Sequence, residues 1–159
     1  MIDVNLVFDG TPATSSSGSV GAAITTSRAS TNVIDLLVAR DIGGEAGDQE
    51  LHVDIMTAFT AAGSATLQIE FDTSPDNSSW SQLMLSPVYP VANLTVGAPI
   101  FRYIVPLNQL LNSGTPGRYL RLYYTVATGP MTAGTVLSYL NTTMDRQVQY
   151  YYPRNYTAA

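Results

Sequence analysis

Alternation of apolar and polar residues runs through much of the chain. Leu67, Ile69 and Phe71 alternate with Gln68 and Glu70, and Leu51, Val53 and Ile55 alternate with His52, Asp54 and Met56. Both segments carry the period-two signature of a strand with one face in a core. Arg118 to Val126, a Gly-Pro turn, and then Gly134 to Leu140 read as two long strands joined by a turn. Ile100 to Val105 alternates as well, and Gln82 to Leu85 fits a short strand. The β-branched and aliphatic run Val33 to Val38 predicts a strand buried on both faces over much of its length, ended by Arg40 to Gly44. Ala58 to Gly63 is expected to turn the chain, and the turn formers from Asp72 to Ser79 predict a hairpin-like connection to Trp80. Pro87, Pro90 and Pro99 suit edge strands and loops, Leu107 to Leu111 fits one helical turn, and Asn112 to Gly117 is a strong break.

About seven or eight strands with no long helix predict an all-β, antiparallel β-sandwich of Greek-key or jelly-roll type. A chain of 159 residues suits one such domain over 1–159, burying roughly 70% of the unfolded chain's surface. Thr11 to Ser30 is rich in Ser, Thr, Gly and Ala, so residues 11–30 are expected to be a flexible loop or arm, ordered by a neighbour. Residues 146–159 form a Tyr-rich C-terminal tail.

Composition narrows the functional classes. Charged residues are 12% of the chain, against about a quarter in average domains, so Ser, Thr, Asn, Gln and Tyr must cover much of the outside. All 7 basic residues are Arg and the formal net charge is -5, which disfavours a phosphate backbone as partner. Arginine without lysine suits packed protein interfaces, because the guanidinium is planar and weakly hydrated. Lineage bias in composition is the other explanation. There is no cysteine, so folding rests on core burial and assembly rather than on disulfides. The start Met1 to Leu6 lacks a basic-then-apolar leader, and no run approaches the roughly 18 apolar residues of a membrane span. Synthesis in the cytoplasm and no membrane partner are the expectation.

Candidate chemistry is sparse. The single histidine, His52, shares a strand face with Asp54, but a hydrolase would also need a selected nucleophile, and no Gly-x-Ser-x-Gly elbow is present. One histidine without cysteine cannot supply a usual zinc set. The loop Asp72 to Ser78 offers oxygen ligands, yet lacks the spaced acids of a calcium loop and reads as a polar turn. Gly43 to Asp48 reads as a flexible connection, since its acids would repel phosphate. No enzyme, cofactor or metal is expected. Arg40 and Asp41 are expected to form an ordering pair. The sharper signal is the tail, where Tyr150, Tyr151, Tyr152, Arg154 and Tyr156 carry the residue types that anchor interfaces. Either they dock on another subunit or they fold back and close their own sandwich.

Several segments, in order, resemble one known family. They are Ser30 to Leu36 with Arg40 to Gly43 after it, Ala58-Phe59 with Ala62 to Leu67, Arg118 to Leu122, and Ala133 to Val136. Together they resemble the capsid cement proteins of tailed bacteriophages, small jelly-roll proteins that bind the outside of an icosahedral shell. The resemblance implies a structural virion protein on the outer capsid surface. Its partners would be the major capsid protein of the same phage and itself, as a homodimer or homotrimer, with no nucleic acid and no turnover. The alternative is a carbohydrate- or receptor-binding β-sandwich module of a phage tail, for which exposed aromatics such as Trp80 or Tyr123 would serve as stacking platforms.

Overall fold

The computed structural model describes residues 2–13, 17–39, 42, 49–97, 99–105 and 117–142. The alternating segments become β1 (Val7–Asp9), β2 (Ala22–Ala23), β3 (Arg28–Ala29), β4 (Ile34–Asp35), β5 (Gln49–Ala61), β6 (Thr66–Ser74), β7 (Ser81–Leu85), β8 (Tyr89–Pro90), β9 (Pro99–Ile104), β10 (Tyr119–Ala127) and β11 (Met131–Thr142). Short 3-10 turns occupy Val4–Leu6 and Val91–Asn93.

These strands make two antiparallel sheets. One runs β1-β11-β5-β9 with β2 also on β11, and the other runs β3-β10-β6-β7 with β4 on β10 and β8 on β6. We take β3 and β4 as one interrupted strand and set aside the two-residue β2 and β8. The principal strands then lie in the order first, eighth, third, sixth in one sheet and second, seventh, fourth, fifth in the other. That interleaving is the double Greek key of a jelly roll, so the expected fold class is met.

Period-two alternation decides which side chains meet between the sheets. Leu67, Ile69 and Phe71 of β6, Leu120, Leu122 and Tyr124 of β10, and Leu51 and Val53 of β5 are fully buried. Each such side chain contributes on the order of 1.5–3 kcal/mol by leaving water. Phe8 of β1 closes one side of this core with its ring edge-on to Phe71, centroids 5.9 Å apart. The turn after β10 has Thr128 and Gly129 at φ 63 and 109. It carries the chain across the sandwich rather than into a hairpin, since β10 pairs with β3, β4 and β6 whereas β11 pairs with β1, β2 and β5.

Two local expectations are corrected. Of the run Val33 to Val38, only Ile34 and Asp35 are strand; Ile34 and Leu36 face inward, while Val33, Leu37 and Val38 are exposed. The run leaves the sheet because the Asp35 carboxylate accepts the Leu37 N–H at 2.8 Å and Leu37 turns to φ 65, an aspartate turn that competes with the ladder. Ala58 to Gly63 turns only at its end, because β5 continues to Ala61 and the bend begins at Ala62. Phe59 is what holds it: its ring is buried, and its N–H donates to the Leu94 carbonyl at 3.0 Å. The expected helical turn at Leu107 to Leu111, the Arg40–Asp41 pair and the 146–159 tail lie outside the described residues.

Much of the Thr11 to Ser30 segment is built into the domain. Thr11 and Val20 exchange backbone hydrogen bonds at 2.7 and 2.8 Å, β2 joins one sheet and β3 the other, and Ile24 between them is fully buried. At the start of this crossing a polar clasp links the sheets. Asp9, 0% exposed, accepts from Arg28 Nη2 at 2.9 Å, from the Thr31 N–H at 3.1 Å and from the Thr31 hydroxyl at 2.7 Å. The Arg28 guanidinium lies 5.4 Å from the centroid of the Tyr124 ring, whose hydroxyl meets Ser138 Oγ at 2.9 Å. Burial, and then the nearby Asp9 carboxylate, push the Tyr124 phenol well above its ordinary value.

Candidate partner-binding faces

The alternation that buries Leu120, Leu122 and Tyr124 turns Tyr119, Arg121 and Tyr123 outward along β10. Register places Asp72 of β6 beside Arg121 and Glu70 beside Tyr123. Arg121 Nε donates to Asp72 Oδ2 at 3.0 Å, and its guanidinium lies 4.1 Å from the Trp80 ring centroid and 5.6 Å from that of Tyr123. Trp80 reaches this point because the preceding turn is fixed by Asp76, which accepts from the Ser78 and Ser79 N–H groups at 2.9 and 2.7 Å. Those bonds hold the Asp76 carboxyl far below the usual carboxylate range and use the oxygens that a calcium loop would direct at an ion. Burial pushes Asp72 up, against the pull of Arg121.

At the end of the same strand Arg118 forms a two-point fork with Asp35, Nε to Oδ1 at 2.6 Å and Nη2 to Oδ2 at 2.7 Å. The hydrogen bond from Arg118 lowers the Asp35 carboxyl. Each of the described arginines, Arg28, Arg102, Arg118 and Arg121, is paired with an aspartate. Each of these cations therefore sits beside a carboxylate of its own chain.

The outer face of the other sheet holds His52. Its Nε2 lies 3.2 Å from Glu50 Oε2, and its ring stacks on Tyr139 with centroids 5.0 Å apart. The Tyr139 hydroxyl donates to Asp54 Oδ2 at 3.2 Å, and Arg102 reaches Asp54 Oδ1 at 3.7 Å. Burial, and then the Asp54 charge, raise the Tyr139 phenol to about 12. His52 thus faces Glu50, with Asp54 serving Tyr139, so the expected shared face is present without a direct imidazole–Asp54 bond. His52 Nδ1 is buried without a hydrogen-bond partner, and among the described residues no cluster of three or more acids and histidines could hold a metal ion. The His52 ring is thus packed, buried and stacked on Tyr139.

Burial lowers the His52 pKa, with Arg102 adding to it and Glu50 and Asp54 opposing. A histidine that resists protonation when folded makes the unfolded chain bind the proton first. Stability is then full above the unfolded value of about 6.5 and declines as pH falls towards the folded pKa. Melting from pH 7.5 down to pH 5 is expected to record such a decline, smaller in His52→Gln. An unchanged slope in that variant would remove the assignment.

Trp80 and Tyr123 are brought together by Arg121, which sequence reasoning did not connect to either. Contact across β10, β6 and the β6–β7 turn depends on register, and only the alternation of Tyr119, Arg121 and Tyr123 hints at it. Tyr150, Tyr151, Tyr152, Arg154 and Tyr156 lie outside the described residues. No helix among the described residues is long and apolar enough to cross a membrane.

A search among curated proteins finds no match. The Bbp16 family profile matches residues 18–140, a span that takes in every strand of both sheets from β2 to β10 and all but the last two residues of β11. The match covers most of the chain, the clasp partners Arg28 and Thr31 and the Arg121 face included, and the chain therefore belongs to the Bbp16 family, which fits a phage protein.

Proposed function

We propose that this chain is a capsid cement protein, a structural virion component that binds the outer surface of a phage shell and bridges adjacent major capsid subunits. The observation that carries the reading is the Bbp16 match across the jelly roll, joined to the resemblance of Ser30 to Leu36, Arg118 to Leu122 and Ala133 to Val136 to cement proteins. The described polar groups support adhesion over turnover, since each described arginine holds an aspartate and His52 meets Glu50, an arrangement of paired charges that leaves the Nη groups of Arg121 open to a partner. A clamp that touches two shell subunits favours their assembled state by mass action. Linked contacts from a homodimer or homotrimer would add through effective concentration. The carbohydrate-binding alternative fits less well, because Arg121 already covers a face of Trp80 and of Tyr123.

The test compares phage particles with and without the protein. Decorated particles are expected to retain their genome to a higher temperature, with the labelled chain located on the outside of the shell by electron microscopy. Equal heat release from bare and decorated particles, or a label confined to the tail, would overturn the reading.

A further inference from the structure

Arg121 is built like a recognition group that has not yet met its ligand. Its Nε is committed to Asp72, whose side chain is only 5% exposed, and aromatic rings lie against its guanidinium on Trp80 and Tyr123. The Arg121 side chain stays 21% exposed, and its Nη groups meet no protein acceptor among the described residues. A free arginine side chain carries much rotamer entropy, and this one has surrendered much of it in advance, which is how preorganised contacts gain affinity. Around it stand Tyr119, Tyr123 and Trp80, half-buried. Spaced two residues apart along β10, Tyr119, Arg121 and Tyr123 span about 13 Å. Tryptophan, tyrosine and arginine at the centre of a patch are the composition of interface hot spots.

The charges choose the occupant. An Nη edge accepts a planar anion by two parallel bonds. A polyphosphate backbone would also meet Glu70 and Asp72, so an isolated carboxylate fits better than a phosphate chain. A second copy related by a two-fold passing at Arg121 would bring Arg121 against Arg121, a like-charge contact. We infer that the outward face of β10 docks on the shell subunit, with Arg121 receiving a carboxylate of that subunit between Tyr119, Tyr123 and Trp80. This rests on the cement reading for the identity of the partner and adds the surface and the chemistry.

The experiment measures binding of the purified full chain to undecorated shells. The wild type is compared with Arg121→Lys, with the neutral pair D72N/R121Q and with Tyr123→Ser. The paired variant removes both charges together while keeping a donor and an acceptor at the two positions, and melting of each variant separates a binding loss from a folding loss. At least a tenfold weakening in Arg121→Lys and D72N/R121Q with melting preserved is expected. Amidating the carboxylates of the shell should weaken the wild type to the same degree. Variants that bind as the wild type does, or a wild type indifferent to amidation, would overturn the face while leaving the cement reading standing. Wild-type protein that binds no shell at all would overturn both. Self-association of the wild type that the Arg121 variants abolish would overturn the face in favour of a second copy.

Discussion

Asp9→Ala is expected to lower the unfolding free energy by about 3 kcal/mol, as read from urea denaturation. The carboxylate is wholly enclosed and its Oδ1 takes three donors, Arg28 Nη2, the Thr31 N–H and the Thr31 hydroxyl. Removing it leaves those donors unpaired beside the Tyr124 ring, and unmet buried donors cost more than the bonds themselves contribute. Arg28 is 28% exposed, so water relieves part of the loss, and this keeps the figure at the low end for a buried pair. Because β1 lies in one sheet and β3 in the other, the damage loosens the seam between them. A double-mutant cycle with Arg28→Ala should return a clear coupling, since removing both partners strands fewer groups than removing one. Additive losses, or a loss under about 1 kcal/mol, would mean the clasp is ornamental.

Gly134→Ala is expected to cost about 3 kcal/mol. Gly134 sits at φ 139 within β11, and a methyl group there would overlap the Phe59 ring. Backbone conformation and space thus oppose the substitution together. The register of β11 against β5 shifts at this point, between Ala133 and Thr135, and again on either side of it, and the irregularity gives the Phe59 ring its seat. For a domain of this size about 3 kcal/mol is a drop of roughly 10 °C in Tm, and calorimetry reads it. Adding Phe59→Leu should recover part of the loss by clearing the space. A Gly134→Ala protein that melts with the wild type would contradict the packing described for β5 and β11.

Residues that announce themselves by period two were legible. β6 and β10 follow directly from Leu67-Ile69-Phe71 and from the alternation in Tyr119 to Val126, because each apolar side chain there finds the core simply by obeying the pleat. Segments whose fate depends on a distant partner were not. Val33 to Val38 has the residues of a strand, yet the Asp35 side chain satisfies the Leu37 N–H and the Arg118 fork at once, and no local pattern reveals Arg118. Ala58 to Gly63 reads as a turn because its residues are small. Phe59 among them was the signal to weigh, an aromatic side chain too costly to leave in water. The outward face of β10 was half legible: the Tyr-Arg-Tyr alternation stands in the sequence, whereas Trp80 and Asp72 arrive only through the pairing of β6 with β10 and the turn that follows β6.

The pairing of β1 with β11, Val7 opposite Tyr139, has a kinetic consequence. An early strand of the polypeptide finds its neighbour only in a very late one, and one edge of β5 likewise waits for β11 after β9 has taken the other. Closing such wide loops precedes any reward from the contacts they permit, so folding is slow for topological reasons. On the ribosome the first strands emerge with an unclaimed edge and stay unclaimed until nearly the whole jelly roll has been synthesised, which makes translation itself the interval in which this protein is most open to mispairing.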